Sequence, residues 1–323
     1  MRRAIILQIQ EIYYPVLAAL GIPVNLVAII ILSQGNCGLS NCISYYMIAM
    51  AAADLMVVIF DVIFTQINNL LFPYCFLDIT VVCSLKSVLL YISTDSSLWL
   101  TVAFTLDRFV AISCQKLRLR YCTGKTAVIV ISAVCTLFCI KNIPVYFIYT
   151  SIDTYNNVEW FCAVRQAFNL DLGWRVFEWL DSILTPCLPL LLILLLNVLT
   201  IRHILVAGKV RRRFRGGPNN NKHADPEMES RRKSIVLLLT VSGTFLLLWM
   251  TFVLNFLIYR FTVADLPDGF NSPASIFTEV GFMLQLLSCC TNTFIYTLTQ
   301  TKFREQLKNM VRYPWTQIVK CLK

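Results

Sequence analysis

CSLKSVLLYISTDSSLWLTVAFTLDRFVAISC, residues Cys83 to Cys114, decides the fold. The stretch is too long and too apolar for an ordinary soluble helix. At about 1.5 Å per residue it makes a rod that crosses a bilayer with length to spare. A cysteine marks one end and the triplet Asp107-Arg108-Phe109 the other. Between them Ser93, Thr94, Asp95, Ser96 and Ser97 form a polar belt at membrane depth. Polar groups are costly there, so this helix has to be wrapped by others.

The rest of the chain supplies the wrapping. Its 323 residues are 57% hydrophobic and only 14% charged, with a mean hydropathy of +0.67. A soluble domain carries about 25% charge. The apolar residues fall in blocks of about twenty or more, the length of a membrane span. Seven blocks are read, at about 12–33, 42–66, 81–113, 126–149, 174–206, 231–261 and 273–298. The fold class expected is an all-α membrane protein: a seven-transmembrane helix bundle with a short amphipathic eighth helix beginning near Lys302. Residues 1–313 make one domain and 314–323 a short cytoplasmic tail. Gly208 to Ser230, which holds RRRFRGGPNNN, reads as a linker too polar to pack.

The net charge of +10 raises nucleic acid as a partner, but its distribution excludes it. Of 28 Lys and Arg, only Arg2, Arg3, Lys86, Lys141, Arg165, Arg175 and Arg260 lie outside the segments expected at the cytoplasmic side. The others gather in two inner loops, the span ends beside them and the tail, the bias that orients membrane proteins. The N-terminus is therefore expected outside and the C-terminus in the cytoplasm. No cleavable signal peptide is read, since Gln8, Gln10 and Glu11 interrupt the first apolar run. No Asn-x-Ser/Thr sequon occurs. Of thirteen cysteines, Cys83 and Cys162, with Cys75 as competitor, lie where an oxidising compartment can join them. No Cys/His set has metal-ligand spacing.

Three groups of residues carry chemistry. Arg108 is a guanidinium near the inner interface and needs a partner, for which Asp107 is adjacent. Simple anchoring by snorkelling competes with a switch that opens toward a cytosolic partner. Asp54, Ser97, Ser288 and Asn292 are polar groups from three spans at mid-membrane depth, a set of hard oxygens suited to a small cation or a proton. A water-filled hydrogen-bond network is the alternative. Asp95 and Lys141 lie in apolar helices on the outer half, where either alone is costly. They pair with each other, or Asp95 faces a ligand or a polar group on span five.

Beyond single residues, an ordered set of motifs resembles the rhodopsin-like (class A) G-protein-coupled receptors. Gly21-Ile-Pro-Val-Asn25, Ala51-Ala-Ala-Asp54-Leu, Asp107-Arg108-Phe109, Phe245-Leu-Leu-Leu-Trp249 and Asn292-Thr-Phe-Ile-Tyr296 look like that family's span motifs in order. Cys83 precedes Arg108 by 25 residues and Phe303 follows Tyr296 by seven, as in the family. The resemblance implies a plasma-membrane receptor that catalyses nothing, with an extracellular small-molecule or peptide ligand and a heterotrimeric G protein as partners. It implies a Cys83–Cys162 disulfide, sodium as an allosteric ion at Asp54, Ser97, Ser288 and Asn292, and no other cofactor. Asp107, Arg108, Phe109, Asn292 and Tyr296 become the coupling switch. By family spacing Lys86, Leu90, Tyr91, Thr94, Asp181, Thr185, Trp249, Phe252, Phe256, Glu279 and Phe282 line the ligand cavity, with plain bundle core as the alternative for the aromatics.

The departures are Thr251 and Thr293 in place of two prolines, Val134 in place of a tryptophan, and Asn197 where many members have Tyr. Arg231 occupies the position of an acid that would face Arg108, so an acid lock is not expected and raised basal activity is. Leu90 and Leu286 exclude the amine receptors and the opsins. Within the class, Tyr13 to Asn25, Ile30 to Gln34 and Ser97 to Val102 look most like the orphan group named G-protein coupled receptor 139-like. That likeness implies sensing of aromatic amino acids and related small molecules. An acid in span three would receive the amine, and Leu90 does not supply it. A small multi-pass transporter and a ligand-silent scaffold are the rival classes. Against the transporter, no internal repeat or matched pair of broken helices is found.

Overall fold

The structure is a computed structural model and describes residues 4–165, 168, 171–214, 226–261 and 272–321. Among the described residues seven helices are long and apolar enough to cross a membrane: Ile5–Ser33, Asn41–Leu71, Thr80–Ser113, Gly124–Ile148, Leu172–Ala207, Ser234–Ile258 and Pro273–Thr299. They are numbered span one to span seven. A further helix, Thr301–Cys321, follows span seven. The bundle end that carries Cys83 is termed outer, and the end that carries Arg108 inner.

Span three is the axis. Of its most apolar window 56% is buried, against 17% for span four. Span four therefore lies at the periphery, and its Ile129, Leu137 and Ile140 are exposed, as hydrocarbon-facing residues have to be. Three apolar clusters surround the axis. Toward the inner end Tyr46, Met47, Met50, Phe104, Leu237, Tyr296 and Phe303 pack together. Tyr14, Leu17, Val58, Val62 and Leu286 join spans one, two and seven. Leu98, Val102, Ile193, Phe245 and Trp249 join spans three, five and six. Span seven closes on span six at Gly281, where a Cβ would lie 3.2 Å from the Phe252 Cα. A side chain there would push the Phe252 backbone back by a few tenths of an ångström, which glycine avoids.

The segment after span four forms two small antiparallel ladders. β1 (Tyr149–Thr150) pairs with β4 (Ala163–Val164). β2 (Asp153–Tyr155) pairs with β3 (Val158–Trp160). Asn156 and Asn157 turn the inner hairpin with φ of 50° and 60°, a conformation that Asn tolerates better than most residues. The hairpin is fastened to the start of span three. Phe161 N–H donates to the Asp78 carbonyl at 2.6 Å, Thr80 Oγ1 to the Phe161 carbonyl at 2.8 Å, and Cys83 is disulfide-bonded to Cys162. Cys75 keeps its thiol and donates to Asn68 Oδ1 at 2.9 Å.

Several boundaries differ from the sequence reading. Span one starts at Ile5 rather than near residue 12. Gln10, read there as an interruption, is buried and donates to Glu279 Oε2 of span seven at 2.7 Å, so the helix carries it inward. The expected linker is partly helical, with one helix running to Phe214 and the next starting at Pro226. Lys, Arg and Glu are good helix formers whether or not they pack, and Pro suits a first helical position. The last helix runs through most of the expected tail, to Cys321. Residues 215–225 and the outer turn 262–271 lie outside the described residues, as do the side chains of Arg231 and Arg260.

Candidate functional site

The inner end is built around Asp107 and Arg108, both buried. Adjacent helical residues point in different directions, so the guanidinium folds back to reach its neighbour. Arg108 Nε donates to Asp107 Oδ2 at 3.0 Å and Nη2 makes an ion pair with the same oxygen. Arg108 Nη1 reaches Ser234 Oγ of span six at 3.4 Å, a long contact. The other oxygens of Asp107 accept from thiols, Oδ1 from Cys42 at 3.2 Å and the backbone carbonyl from Cys122 at 3.5 Å. Burial and the Asp107 carboxylate push the Cys122 thiol up to about 12. Phe109 is half-buried. Tyr296 is fully buried beside Phe303 at 6.1 Å between ring centroids, and its hydroxyl has no hydrogen-bond partner among the described residues.

At mid-depth Asp54 is buried and accepts from two spans: Ser97 Oγ donates to Oδ1 at 2.5 Å and Asn292 Nδ2 to Oδ2 at 2.8 Å. Three of the four residues expected to gather there do so. Ser288 bonds elsewhere, accepting from Trp249 Nε1 at 3.1 Å and donating to the Gln285 carbonyl at 2.5 Å. Thr293, in the place of a proline, keeps its backbone N–H, and its hydroxyl reaches the Val24 carbonyl of span one at 3.1 Å. Asn197 Oδ1 accepts from Ser242 at 3.0 Å, so spans five and six are tied where many family members have Tyr.

Above Asp54 an aromatic ladder climbs spans six and seven. Phe245 stacks on Trp249 at 5.2 Å, Trp249 meets Phe252 edge-on at 5.9 Å, and Phe252 meets Phe282 at 5.1 Å. Such pairs add to area burial and hold ring orientation.

The outer half of span three carries the charge cluster. Asp95 is 1% exposed. Its Oδ2 accepts from Lys141 Nζ at 2.7 Å and from Asn142 Nδ2 at 2.7 Å, and Oδ1 accepts from the Thr185 hydroxyl. Lys141 also pairs with Asp181 of span five. Thr185 sits at φ −144°, ψ 105°, the extended region that a following proline imposes. The break turns its hydroxyl to Asp95. Thus two of the three expectations for Asp95 are met at once, the pair with Lys141 and the polar group on span five.

The remaining cavity candidates divide. Tyr91, Thr94, Asp181, Thr185, Phe252, Phe256 and Glu279 are half-buried, as is Leu90, while Trp249 is buried and Phe282 just exposed. Lys86 is buried, with Nζ donating to the Phe64 carbonyl of span two at 3.0 Å, so its ammonium serves a helix–helix contact. Glu279 is engaged by Gln10. The sequence reading missed Asn142, Cys42, Cys122 and Ser234. Asn142 had a signal, being polar directly after Lys141 in an apolar run; the two thiols had none, because cysteine reads as a small hydrophobe.

Comparison with known proteins agrees with the seven-span fold. The family model described as 7 transmembrane receptor (rhodopsin family) matches residues 24–296. Similar curated proteins include C-C chemokine receptor type 1 of Macaca fascicularis, 24% identical over 95% of this chain and 81% of that protein. C-C chemokine receptor type 8 of Mus musculus is 25% identical over 93% of this chain and 78% of its own length. C-C chemokine receptor type 1 of Homo sapiens is 24% identical over 92% and 78%.

Proposed function

Since the chain belongs to the rhodopsin family of seven-transmembrane receptors, we propose that it binds an extracellular small molecule or peptide in the outer half of the bundle and activates a heterotrimeric G protein at the inner end. The family consists of signalling receptors rather than enzymes, and the chain is a multi-pass membrane protein. In this reading the N-terminus is outside and the C-terminus cytoplasmic, consistent with the distribution of Lys and Arg. Helix Thr301–Cys321 lies on the inner membrane face against lipid.

The observation that carries the proposal is the loose tether of Arg108. Among the described residues the buried guanidinium is held by its own sequence neighbour and reaches span six through a 3.4 Å contact, so span six can move away at little cost to Arg108. An open groove lined by Ile112, Ser113, Cys114, Lys116, Leu117, His203 and Ala207 offers a partner helix a place at the inner ends of spans three and five. Tyr296, buried without a partner for its hydroxyl, gains by any rearrangement that supplies one. A ligand favours that state only by binding it better than the closed one.

The Asp54 oxygens and Ser97 form a set of hard donors that would suit sodium, while Ser288 is engaged by Trp249 and Gln285. Sodium there would supply a positive charge opposite Asp54 and favour the closed arrangement. Two ligand classes are tested first: a chemokine, after the names of the relatives, and an aromatic amino acid, after the likeness of Tyr13 to Asn25 to the G-protein coupled receptor 139-like group.

The deciding experiment measures G-protein dissociation in cells, wild type against Arg108→Ala at matched surface expression. The variant is expected at the surface in near-normal amount with signalling lost. Signalling that persists in Arg108→Ala overturns the coupling role.

A further inference from the structure

Asp107 is 1% exposed, and a buried carboxylate has to find donors for both oxygens. Oδ2 has Arg108. Oδ1 has the thiol of Cys42, itself 1% exposed, at the start of span two. The backbone carbonyl of Asp107 has the thiol of Cys122, which ends the short helix Gln115–Tyr121 between spans three and four. The two cysteines therefore come from two different elements, pack in one cluster and meet on one residue. No chemistry of metal or disulfide accounts for them, as both are free thiols and no metal-binding group occurs among the described residues.

We propose that Cys42 and Cys122 are positioning residues that hold Asp107 against Arg108 and so keep the inner end of span three closed on span two and the second inner loop. The proposal rests on the coupling reading above for its consequence, not for its geometry. A thiol is a weak donor, so the hold is soft compared with that of a hydroxyl or an amide. With the Cys122 thiol pushed up to about 12, it stays protonated and able to donate throughout the physiological range. The same feature makes it a poor nucleophile, which separates a positioning thiol from a redox sensor. Replacing Cys42 by an apolar residue of similar size leaves Oδ1 unpaired in a buried place, and the carboxylate then turns away from Arg108 to find water. Serine at the same position restores a donor.

Two measurements test this. Infrared spectroscopy of the full chain in lipid nanodiscs reads the S–H stretching band, which falls in frequency when a thiol donates. Cys42→Ser identifies the Cys42 component, and Asp107→Ala should move that component to higher frequency. A component that does not move overturns the proposal. In cells, Cys42→Val is expected to raise ligand-free G-protein signalling about threefold at matched surface expression, the scale of one modest hydrogen bond. Cys122→Val should raise it less, and Cys42→Ser should return it to the wild-type level. Equal signalling from the Val and Ser variants overturns the positioning role even if Arg108→Ala shows coupling to be intact. If Cys42→Val fails to reach the surface, the spectral result decides. If no G protein responds to any variant while the band moves in Asp107→Ala, the coupling reading fails and the thiol contact stands.

Discussion

Span three carries two buried ion pairs, twelve residues or about 18 Å apart along the helix, and they are built in opposite ways. The outer one, Asp95, draws three donors from two spans, Lys141 and Asn142 on span four and Thr185 on span five, with Asp181 completing the cluster through Lys141. The inner one, Asp107 with Arg108, is closed within a single helix. Among the described residues its links to other elements are two thiols and one 3.4 Å contact to Ser234. Charge pairs that cross between helices fix helix positions, whereas a pair between sequence neighbours fixes nothing but itself. The outer half of the bundle is thus anchored and the inner half poised. A receptor that opens toward the cytosol needs that distribution.

Lys141→Ala is the strongest test of the anchored end, because it strands Asp95 and Asp181 together. Breaking a buried pair from one side costs about 3–5 kcal/mol. Thermal unfolding of the solubilised receptor should show its largest loss for this substitution, and Asp95→Ala a smaller one. The double change to Leu at both positions should recover much of it, since it removes the stranded charge while Asp181, at 23% side-chain exposure, reaches water. A double variant that merely adds the two losses breaks the comparison, and Asp95 then belongs to ligand recognition.

Between the two ends, Asp54→Asn addresses the hinge of the contrast. Sodium at ten times its dissociation constant should stabilise the wild type by about 1.4 kcal/mol, and the variant not at all. Stabilisation retained in Asp54→Asn places the ion elsewhere. No stabilisation in the wild type leaves Asp54 as a hydrogen-bond acceptor for Ser97 and Asn292 alone.

The smallest effect is expected from Ser234→Ala. A contact at 3.4 Å lies at the edge of hydrogen bonding, and its loss should change ligand-free signalling by less than about 0.5 kcal/mol, or twofold. A large rise would show that span six is latched through Ser234 and that the inner end is less loosely held than its geometry suggests.

The seven spans were legible because hydrocarbon demands long apolar blocks, and nothing else in the chain mimics them. Asp54 with Asn292 and Asp95 with Lys141 were legible because charge at membrane depth forces a partner. The third member of the outer cluster was not, since pairing Asp181 with Lys141 depends on how spans four and five are rotated, which hydropathy does not record. The partner of Lys86 was not legible for a related reason. A long ammonium side chain can turn to a carbonyl on the next helix, as it does at Phe64, and spacing along its own helix gives no sign of it. The start of span one was read too late because Gln10 counts as polar, and its partner Glu279 lies 269 residues away.

Gly281 turns one of these packing facts into a dial. An added methyl there meets the backbone of Phe252 rather than a yielding side chain. Alanine and then serine at this position act as graded wedges between the outer halves of spans six and seven. They set how closely Phe252 and Phe282 approach without touching any charge. Ligand size preference should then shift with wedge volume, which makes the breadth of molecules the receptor admits a property adjustable one atom at a time.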